Sequence, residues 1–382
     1  MAHYTYLIIG GGLAADAAVR GIRDLDPQGS VGIISEEKDP PYDRPPLSKG
    51  LWTGKKPLEK IWRHTEQRNA DLHLGRRAER LDAQNKRVAD SRGSTYTFEK
   101  LLLATGGRPR RLPFGQDSVV YLRTLEDYRQ LRAAAEQRRR FAVIGSGFIG
   151  SEIAAALAMT GREVTMIFPE VGIGGSLFPP ELYRFLNDYY RRKGVQVLNG
   201  EFVSGAAQVM AGGFVSGLER RGDEFILRTS GGQQVVADAV VAGLGIVPNT
   251  ELAQQAGLNV ENGICVDEFL RTNHPDIYAA GDVARFYCPT LGRSRRVEHE
   301  DNANTMGRTA GRNMAGASEP YQHLPYFYSD LFDLGYEAVG LVDSRLQVVA
   351  DWEEPFRKGV IYYLERQRVR GVLLWNVWEQ VE

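Results

Sequence analysis

The chain has 382 residues, with 47 Lys and Arg against 48 Asp and Glu, a formal net charge of −1. That balance argues against nucleic acid or an anionic membrane as the main partner. With 43% hydrophobic and 25% charged residues, the composition is that of a globular protein of two or three domains. Two widely separated cysteines, Cys265 and Cys288, form no CxxC, so a disulfide framework, the usual redox dithiol and the usual zinc half-site are not expected, and no metal is. No apolar run reaches the roughly 18 residues of a membrane span. The N-terminus has neither a basic leader nor a transit-like stretch, so the cytoplasm is the expected location. The basic clusters Arg108 to Arg111 and Arg138 to Arg140 read as solvated surface charge.

In chain order, an apolar run from Tyr6 meets Gly10, Gly11 and Gly12 and then an alanine-rich stretch. This predicts a buried parallel strand, a tight turn and a helix. A second apolar run, Val31 to Ile34, ends in Ser35 and Glu36 and completes a right-handed βαβ unit. The segment from Pro40 to Lys49 holds four prolines and is expected to be irregular and stiff. Leu101 to Pro109 reads as a strand running into a turn at Thr105, Gly106 and Gly107. Residues 114–140 have helical spacing. The strand–glycine–helix pattern then recurs at Phe141 to Ala154, followed by the strand Glu163 to Glu170. A whole supersecondary unit is repeated, too long for a solenoid repeat. Val235 to Gly245 and Ile277 to Asp282 are further strands. From about Tyr321, aromatic and β-branched residues alternate through Val339 to Ala350, Gly359 to Glu365 and Val369 to Trp378, which predicts a small antiparallel sheet.

The two repeats carry the chemistry. The first reads Gly10, Gly12, Ala15 at G-x-G-x-x-A spacing; the second reads Gly145, Gly147, Gly150 at G-x-G-x-x-G, with Phe148 and Ile149 between. The first glycine makes the turn, the second lets backbone approach a pyrophosphate, and the third small residue lets helix lie on strand. The helix N-terminus offers N–H groups to phosphate. An acid about 20 residues on accepts from ribose hydroxyls, and Glu36 and Glu170 stand at those positions. Two dinucleotides are therefore expected. A carboxylate at Glu170 repels a 2′-phosphate and favours NADH over NADPH, unless Arg162, on the approach to the same strand, offsets it. Gly281 and Asp282 close the first site, the aspartate either accepting from a cofactor hydroxyl or capping the next helix.

At Pro41 to Trp52, Gly147 to Glu152, Phe168 to Glu170, Val297 to His299, Ser329 to Leu331, Gly335 to Asp343, Gly359 to Leu364 and Leu374 to Asn376, the chain resembles the FAD-dependent pyridine-nucleotide oxidoreductases. The likeness is to the apoptosis-inducing-factor branch, beside the ferredoxin and rubredoxin reductases, and to its prokaryotic side. It implies an α/β architecture of two Rossmann-like nucleotide domains and a small α+β interface domain. These are an FAD domain at 1–113 and 243–320, an NAD domain at 114–242 and an interface domain at 321–382. Implied around FAD are Arg44, Thr105, Gly106, Gly245, Glu298, His299 and Tyr328, with Lys49 near the reactive nitrogen and paired to Glu337. Phe148 is implied over a ring face and Glu152 on the nicotinamide amide. Glu300, Asn302 and Tyr328 depart from the residues usual in the branch.

The expected reaction is hydride transfer from NADH to FAD, with a charge-transfer complex with NAD as an accompanying expectation. Electrons then pass to oxygen, a quinone or a small iron–sulfur protein. A ferredoxin or rubredoxin reductase, docking on Arg293, Arg295 and Arg296, is one alternative. A slow, NADH-responsive redox sensor is another, with a homodimer that forms on NADH binding.

Overall fold

The computed structural model describes residues 1–115, 118–200 and 217–381. Among them seven α-helices occur: α1 (Leu13–Arg23), α2 (Gly50–Thr53), α3 (Leu125–Gln137), α4 (Phe148–Met159), α5 (Pro180–Arg192), α6 (Glu251–Gln255) and α7 (Glu300–Met314). The chain divides into two compact units. One comprises Met1–Arg44, Leu58–Arg108 and Val247–Phe327; the other comprises Pro45–Pro57, Pro109–Ile246 and Tyr328–Glu382.

The first unit is built on the strand Ala2–Ile9, which pairs in parallel with Val31–Ile34 on one side and Thr95–Leu103 on the other. Ala70–His73 and Ile277–Ala279 extend the parallel part, and Ala78–Asp82 and Arg87–Asp90 add an antiparallel meander. Val31 to Ile34 are all buried, as a parallel strand covered on both faces requires.

Helices α1 and α7 pack backbone to backbone. A Cβ on Gly307 would lie 2.4 Å from the Ala14 carbonyl oxygen, and one on Gly311 would lie 2.1 Å from that of Ala18. Small residues on both helices permit this approach. It sets the start of α7, and with it His299, relative to α1. Asp16, on α1 and fully buried, accepts from Arg20 Nε at 2.7 Å, Arg63 Nε at 2.8 Å and Thr65 Oγ1 at 2.6 Å. One carboxylate thus fastens the 58–68 segment to α1.

The second unit repeats the parallel plan with Val195–Asn199, Glu163–Phe168, Arg140–Ile144, Ala239–Ala242 and Val119–Val120 in that order. The helix expected across 114–140 is shorter, because Thr124 and Asp127 form a capping box that starts it at Leu125. The strand expected through Val339 to Ala350 is broken at Gly340, which has φ +81°; Leu334–Gly340 and Gln347–Glu354 are separate strands. They belong to a five-stranded tail sheet with Tyr326–Leu331, Arg368–Trp375 and Lys358–Glu365.

The tail from Tyr328 onward is grouped with the second nucleotide unit. Aromatic packing explains the grouping. Phe178 lies edge-on to Tyr336 at 5.2 Å and to Trp375 at 5.6 Å, and Phe185 of α5 stacks on Phe356 at 5.3 Å. Tyr363 Oη donates to the Leu177 carbonyl at 2.8 Å. No helix among the described residues is long and apolar enough to cross a membrane.

Gly311→Ala is expected to force α7 off α1 and lower stability by about 1–3 kcal/mol, the usual cost of overpacking a tight contact. Urea unfolding read by far-UV circular dichroism checks this; an unchanged midpoint would contradict the packing described.

Candidate functional site

In the first unit the strand Ala2–Ile9 delivers Gly10 to the mouth of α1. Gly10 has φ +115°, and a Cβ there would stand 2.1 Å from the Ala104 carbonyl oxygen, so only glycine fits. Gly12 is the N-cap, and no side chain caps the helix; Ala15 is fully buried beneath. The nearest atom to a Cβ on Gly12 would be Arg44 Nη2, 3.7 Å away. A bare helix start, a second glycine facing space and a guanidinium beside it together fit a pyrophosphate.

Arg44 carries its charge firmly. Burial works against the cation, but Glu37, Tyr42 and Asp282 outweigh it and hold the pKa above the ordinary value. Arg44 Nη2 donates to Glu37 Oε1, and Tyr42 Oη donates to Glu37 Oε2 at 2.6 Å. The acid that the sequence singled out, Glu36, is instead exposed just past the strand end, where it is accessible to a ribose. Thr105 Oγ1 donates to the Asn249 carbonyl at 2.7 Å, and Gly106 has φ +60°. Asp282 is the middle residue of the short 3₁₀ turn Gly281–Val283, whose N-cap is Ala280.

His299 is the N-cap of α7 and stacks on Phe327 with ring centroids 4.4 Å apart. Burial, more than the opposing pull of Asp282 and the push of Arg295, lowers its pKa from 6.5 to about 4. The ring is therefore neutral near pH 7. Glu298 is exposed and pairs with Arg296 at 2.7 Å. The basic face expected from Arg293, Arg295 and Arg296 does not form: Arg295 lies opposite buried Phe286 in its hairpin, Arg296 is held by Glu298 and by the Asp282 carbonyl, and Arg293 alone of the three is exposed. Alternation along a strand sends neighbouring residues to opposite faces.

In the second unit Gly145, at φ +107°, would place a Cβ 2.4 Å from the Gly243 carbonyl oxygen, and Gly150 one 2.2 Å from that of Gly145. Gly147, the uncapped start of α4, has nothing within 4 Å of where a Cβ would be. This cradle fits a dinucleotide as the first does. Phe148 and Ile149 are the first two residues of α4 and half-buried. Gly245 has φ +77°. Glu170 is exposed two residues past its strand, and its Oε2 accepts from Ser146 Oγ at 3.0 Å. Arg162 precedes the same strand and donates to the Arg138 carbonyl. At about 3.3 Å per residue it stands some 26 Å from Glu170 and does not offset that charge.

Lys49 is paired differently from the expectation. Its Nζ lies 2.7 Å from Glu152 Oε1 and 5.3 Å from the centre of the Tyr328 ring. Glu337 instead accepts from the Glu379 backbone N–H at 2.9 Å. The pleat explains why: Tyr336 and Ala338 are buried at 3% and 0%, so Glu337 between them points to the other face. Ser48 and Ser329 were not singled out in the sequence, yet both donate to Glu152, at 2.5 and 2.6 Å. No local pattern marks a serine as a carboxylate's partner across 177 positions.

His299 has a consequence for stability. Its folded pKa lies below its unfolded one, so between about pH 6.5 and 4 the unfolded chain binds the extra proton and stability is lost as the pH drops. The shift corresponds to about 3 kcal/mol lost across that window at 1.36 kcal/mol per unit. His299→Phe is expected to flatten this part of the profile. Thermal melts from pH 7 to 4.5 check it, and identical profiles for both proteins would contradict it.

A family model for pyridine nucleotide-disulphide oxidoreductases matches residues 4–307. A model for the C-terminal region of mitochondrion-associated apoptosis-inducing factor matches residues 310–355. The chain is 32% identical, over 99% of its length, to a putative mitochondrial apoptosis-inducing factor 1 of Drosophila melanogaster, and spans 62% of that protein. It is 35% identical to the ferredoxin reductase subunit of a 5,5′-dehydrodivanillate O-demethylase of Sphingobium sp., covering 97% of this chain and 89% of that one. Its fold is similar to that of the reductase in a covalent putidaredoxin reductase–putidaredoxin complex, with TM-score 0.89 and 30% identity over 98% of this chain and 90% of that one. With two uncapped glycine cradles and matches along both units, the chain belongs to the pyridine nucleotide-disulphide oxidoreductase family, as an FAD-dependent NAD(P)H oxidoreductase.

Proposed function

We propose that this chain is an NADH-dependent reductase whose acceptor is a small iron–sulfur protein. One observation carries the reading: the chain keeps both dinucleotide cradles but has no dithiol. Cys288 is buried and Cys265 half-buried, and both are free. Their strands are parallel neighbours with Cys265 opposite Arg285, which leaves the two residues about 10 Å apart along the strand, beyond disulfide reach. Electrons therefore leave for an acceptor outside the chain. Two of the similar proteins are a ferredoxin reductase subunit and a reductase captured with putidaredoxin, which supports an iron–sulfur acceptor over oxygen or a quinone.

FAD, when bound, would supply the chemistry, accepting one hydride, which carries two electrons, and passing those electrons on singly. The residues of this chain bind and orient. In the first unit α1 from Gly12, with Arg44, holds the pyrophosphate, Glu36 the ribose, and Thr105, Gly106, Gly281, Asp282 and Glu298 line the remaining length. His299, neutral on Phe327, offers a flat uncharged face. In the second unit Gly145, Gly147 and Gly150 cradle the nicotinamide dinucleotide, with Gly245 at the adjoining turn and Phe148, Ile149 and Tyr328 as apolar surface. Glu170 accepts from the adenosine ribose and disfavours a 2′-phosphate. Lys49 and Glu152 serve the nicotinamide end.

Three outcomes are expected. Arg44→Ala should lower flavin retention about tenfold or more, since a charged donor beside a phosphate contributes roughly 1.5–3 kcal/mol; flavin absorbance after gel filtration measures it. Wild-type kcat/KM should favour NADH over NADPH by at least about tenfold, roughly 1.4 kcal/mol, and Glu170→Ala should narrow that gap. Equal efficiency with NADPH would refute the donor assignment. With NADH as donor, cytochrome c reduction should depend on an added [2Fe–2S] ferredoxin; faster turnover with oxygen or a quinone alone would overturn the acceptor assignment.

A further inference from the structure

Where the antiparallel meander of the first unit joins its parallel sheet, His73, Arg76, Arg87, Ser94 and Tyr96 line a cleft of about 510 Å³ that shares no residue with either glycine cradle. Its floor is closed by Asp90, which is 3% exposed. Asp90 Oδ1 accepts from the Arg92 and Ser94 backbone N–H groups at 2.9 and 2.8 Å. Its Oδ2 accepts from Arg76 Nη1 at 3.0 Å and Tyr96 Oη at 2.8 Å. An ionised carboxylate has about four acceptor positions, so Asp90 has none left for a ligand. The cations are not spent in the same way. Every hydrogen bond of the Arg76 side chain leaves from Nη1, and among the described residues its Nε and Nη2 meet no acceptor. Arg87 is exposed and forms no ion pair among the described residues; its Nη2 contacts Met1 Sδ at 3.9 Å. Beside them, Tyr4 Oη gives its one proton to Asp71 Oδ2 at 3.0 Å, so His73 Nε2 is the donor to Tyr4 Oη at 2.8 Å. Burial first, and Arg76 second, favour the neutral ring, and Nδ1 is left as an acceptor.

We propose that this cleft binds a small organic phosphate monoester of the ribose 5-phosphate class, and that its occupancy steadies the adenosine end of the flavin site. Arg76 and Arg87 supply N–H groups to phosphate oxygens, in the fork geometry that suits arginine to phosphate. His73 Nδ1 accepts from a sugar hydroxyl. No carboxylate lines the cleft, so a cation finds no counter-charge there. The volume lies within the range of small-molecule sites, about 300–1,000 Å³, and exceeds what phosphate alone fills. The second half of the proposal rests on the reading of α1 as the FAD cradle, and backbone carries it. Ser35 N–H donates to the His73 carbonyl at 3.0 Å, Arg76 N–H to the Ser35 carbonyl at 2.8 Å and Gly75 N–H to the Glu37 carbonyl at 3.0 Å. These bonds bracket Glu36, and Glu37 is the partner of Arg44. A ligand held by His73 and Arg76 restrains the 73–76 segment and, through it, the strand end that carries both acids. By linkage, flavin then favours the phosphate as much as the phosphate favours flavin.

The test is isothermal titration of the FAD-loaded protein with ribose 5-phosphate, inorganic phosphate and ribose, together with the rate of flavin release read by fluorescence. Ribose 5-phosphate should bind at least about tenfold tighter than either fragment, and Arg87→Gln and Arg76→Gln should each weaken it about tenfold, the worth of a hydrogen bond to a charged group. NADH affinity should not change in either variant. Saturating ribose 5-phosphate should slow flavin release from wild type about fivefold or more, the low end of ordinary coupling between sites, and should do so far less in Arg87→Gln. Arg76 also holds Asp90, so Arg87→Gln decides the matter if Arg76→Gln does not fold. Absence of binding to wild type, undiminished binding to Arg87→Gln, or displacement by NADH, which would put the sugar phosphate in the α4 cradle, overturns the site. Inorganic phosphate binding as tightly as ribose 5-phosphate overturns the ligand class. Binding without any change in flavin release overturns the coupling. A pure, folded protein that takes up no flavin overturns the reading of α1 instead, a result distinct from failure of the cleft.

Discussion

A helix start left bare of side chains is the constraint on which both nucleotide cradles depend. At α1 and at α4 the N-cap is a glycine, and no side chain satisfies the first-turn N–H groups. Orphan donors at a helix start are ordinarily capped, so leaving them open is tolerable where an anion completes the site. The bare starts require the chain to arrive from the strand at a fixed angle. Gly10 and Gly145 provide this at φ +115° and +107°, each against a carbonyl that any Cβ would strike. The same hydrogen bond steadies both turns: Gly10 N–H donates to the Ile34 carbonyl at 2.9 Å and Gly145 N–H to that of Ile167 at 3.0 Å.

Charge is then arranged differently in the two units. In the first, Arg44 is half-buried beside Glu37 and within the field of Asp282, so a cation is held ready where phosphate would stand. His299 is kept neutral by burial against Phe327. In the second unit the exposed Glu170 puts negative charge at one end of the α4 cradle, beside Ser146. At the other end the buried Glu152 is matched by Lys49 and two hydroxyls. Buried charges of this kind persist because their partners are all present. That gives the second unit an electrostatic reason to include both the 45–57 loop and the tail sheet.

Much of this was readable from residues alone. The period of glycines, the apolar runs before them and the acids about 20 positions later identify two parallel βαβ units, because each depends on local backbone requirements that only certain residues meet. Gly10, Gly12, Gly145, Gly147 and Gly150 are legible for that reason as the turns and close approaches of two strand–helix junctions. The alternating tail likewise announced a sheet, since side-chain period two is a property of the strand itself.

What the sequence could not settle was which distant side chains meet. Lys49 has acids available at positions 152 and 337, and charge alone does not choose between them. The pleat of the strand Leu334–Gly340 turns Glu337 away to the Glu379 backbone, and the helix α4 turns Glu152 inward to Lys49. Ser48 and Ser329 carry no local signature at all, and the separation of Arg162 from Glu170 emerged only when the strand between them was laid out. The sequence by itself determined the two glycine turns and the strand–helix units around them, because those are set by backbone geometry within about 30 residues. The tertiary structure alone decided the partners of the buried charges and the grouping of the tail with the second unit, because those depend on which faces long-range packing brings together.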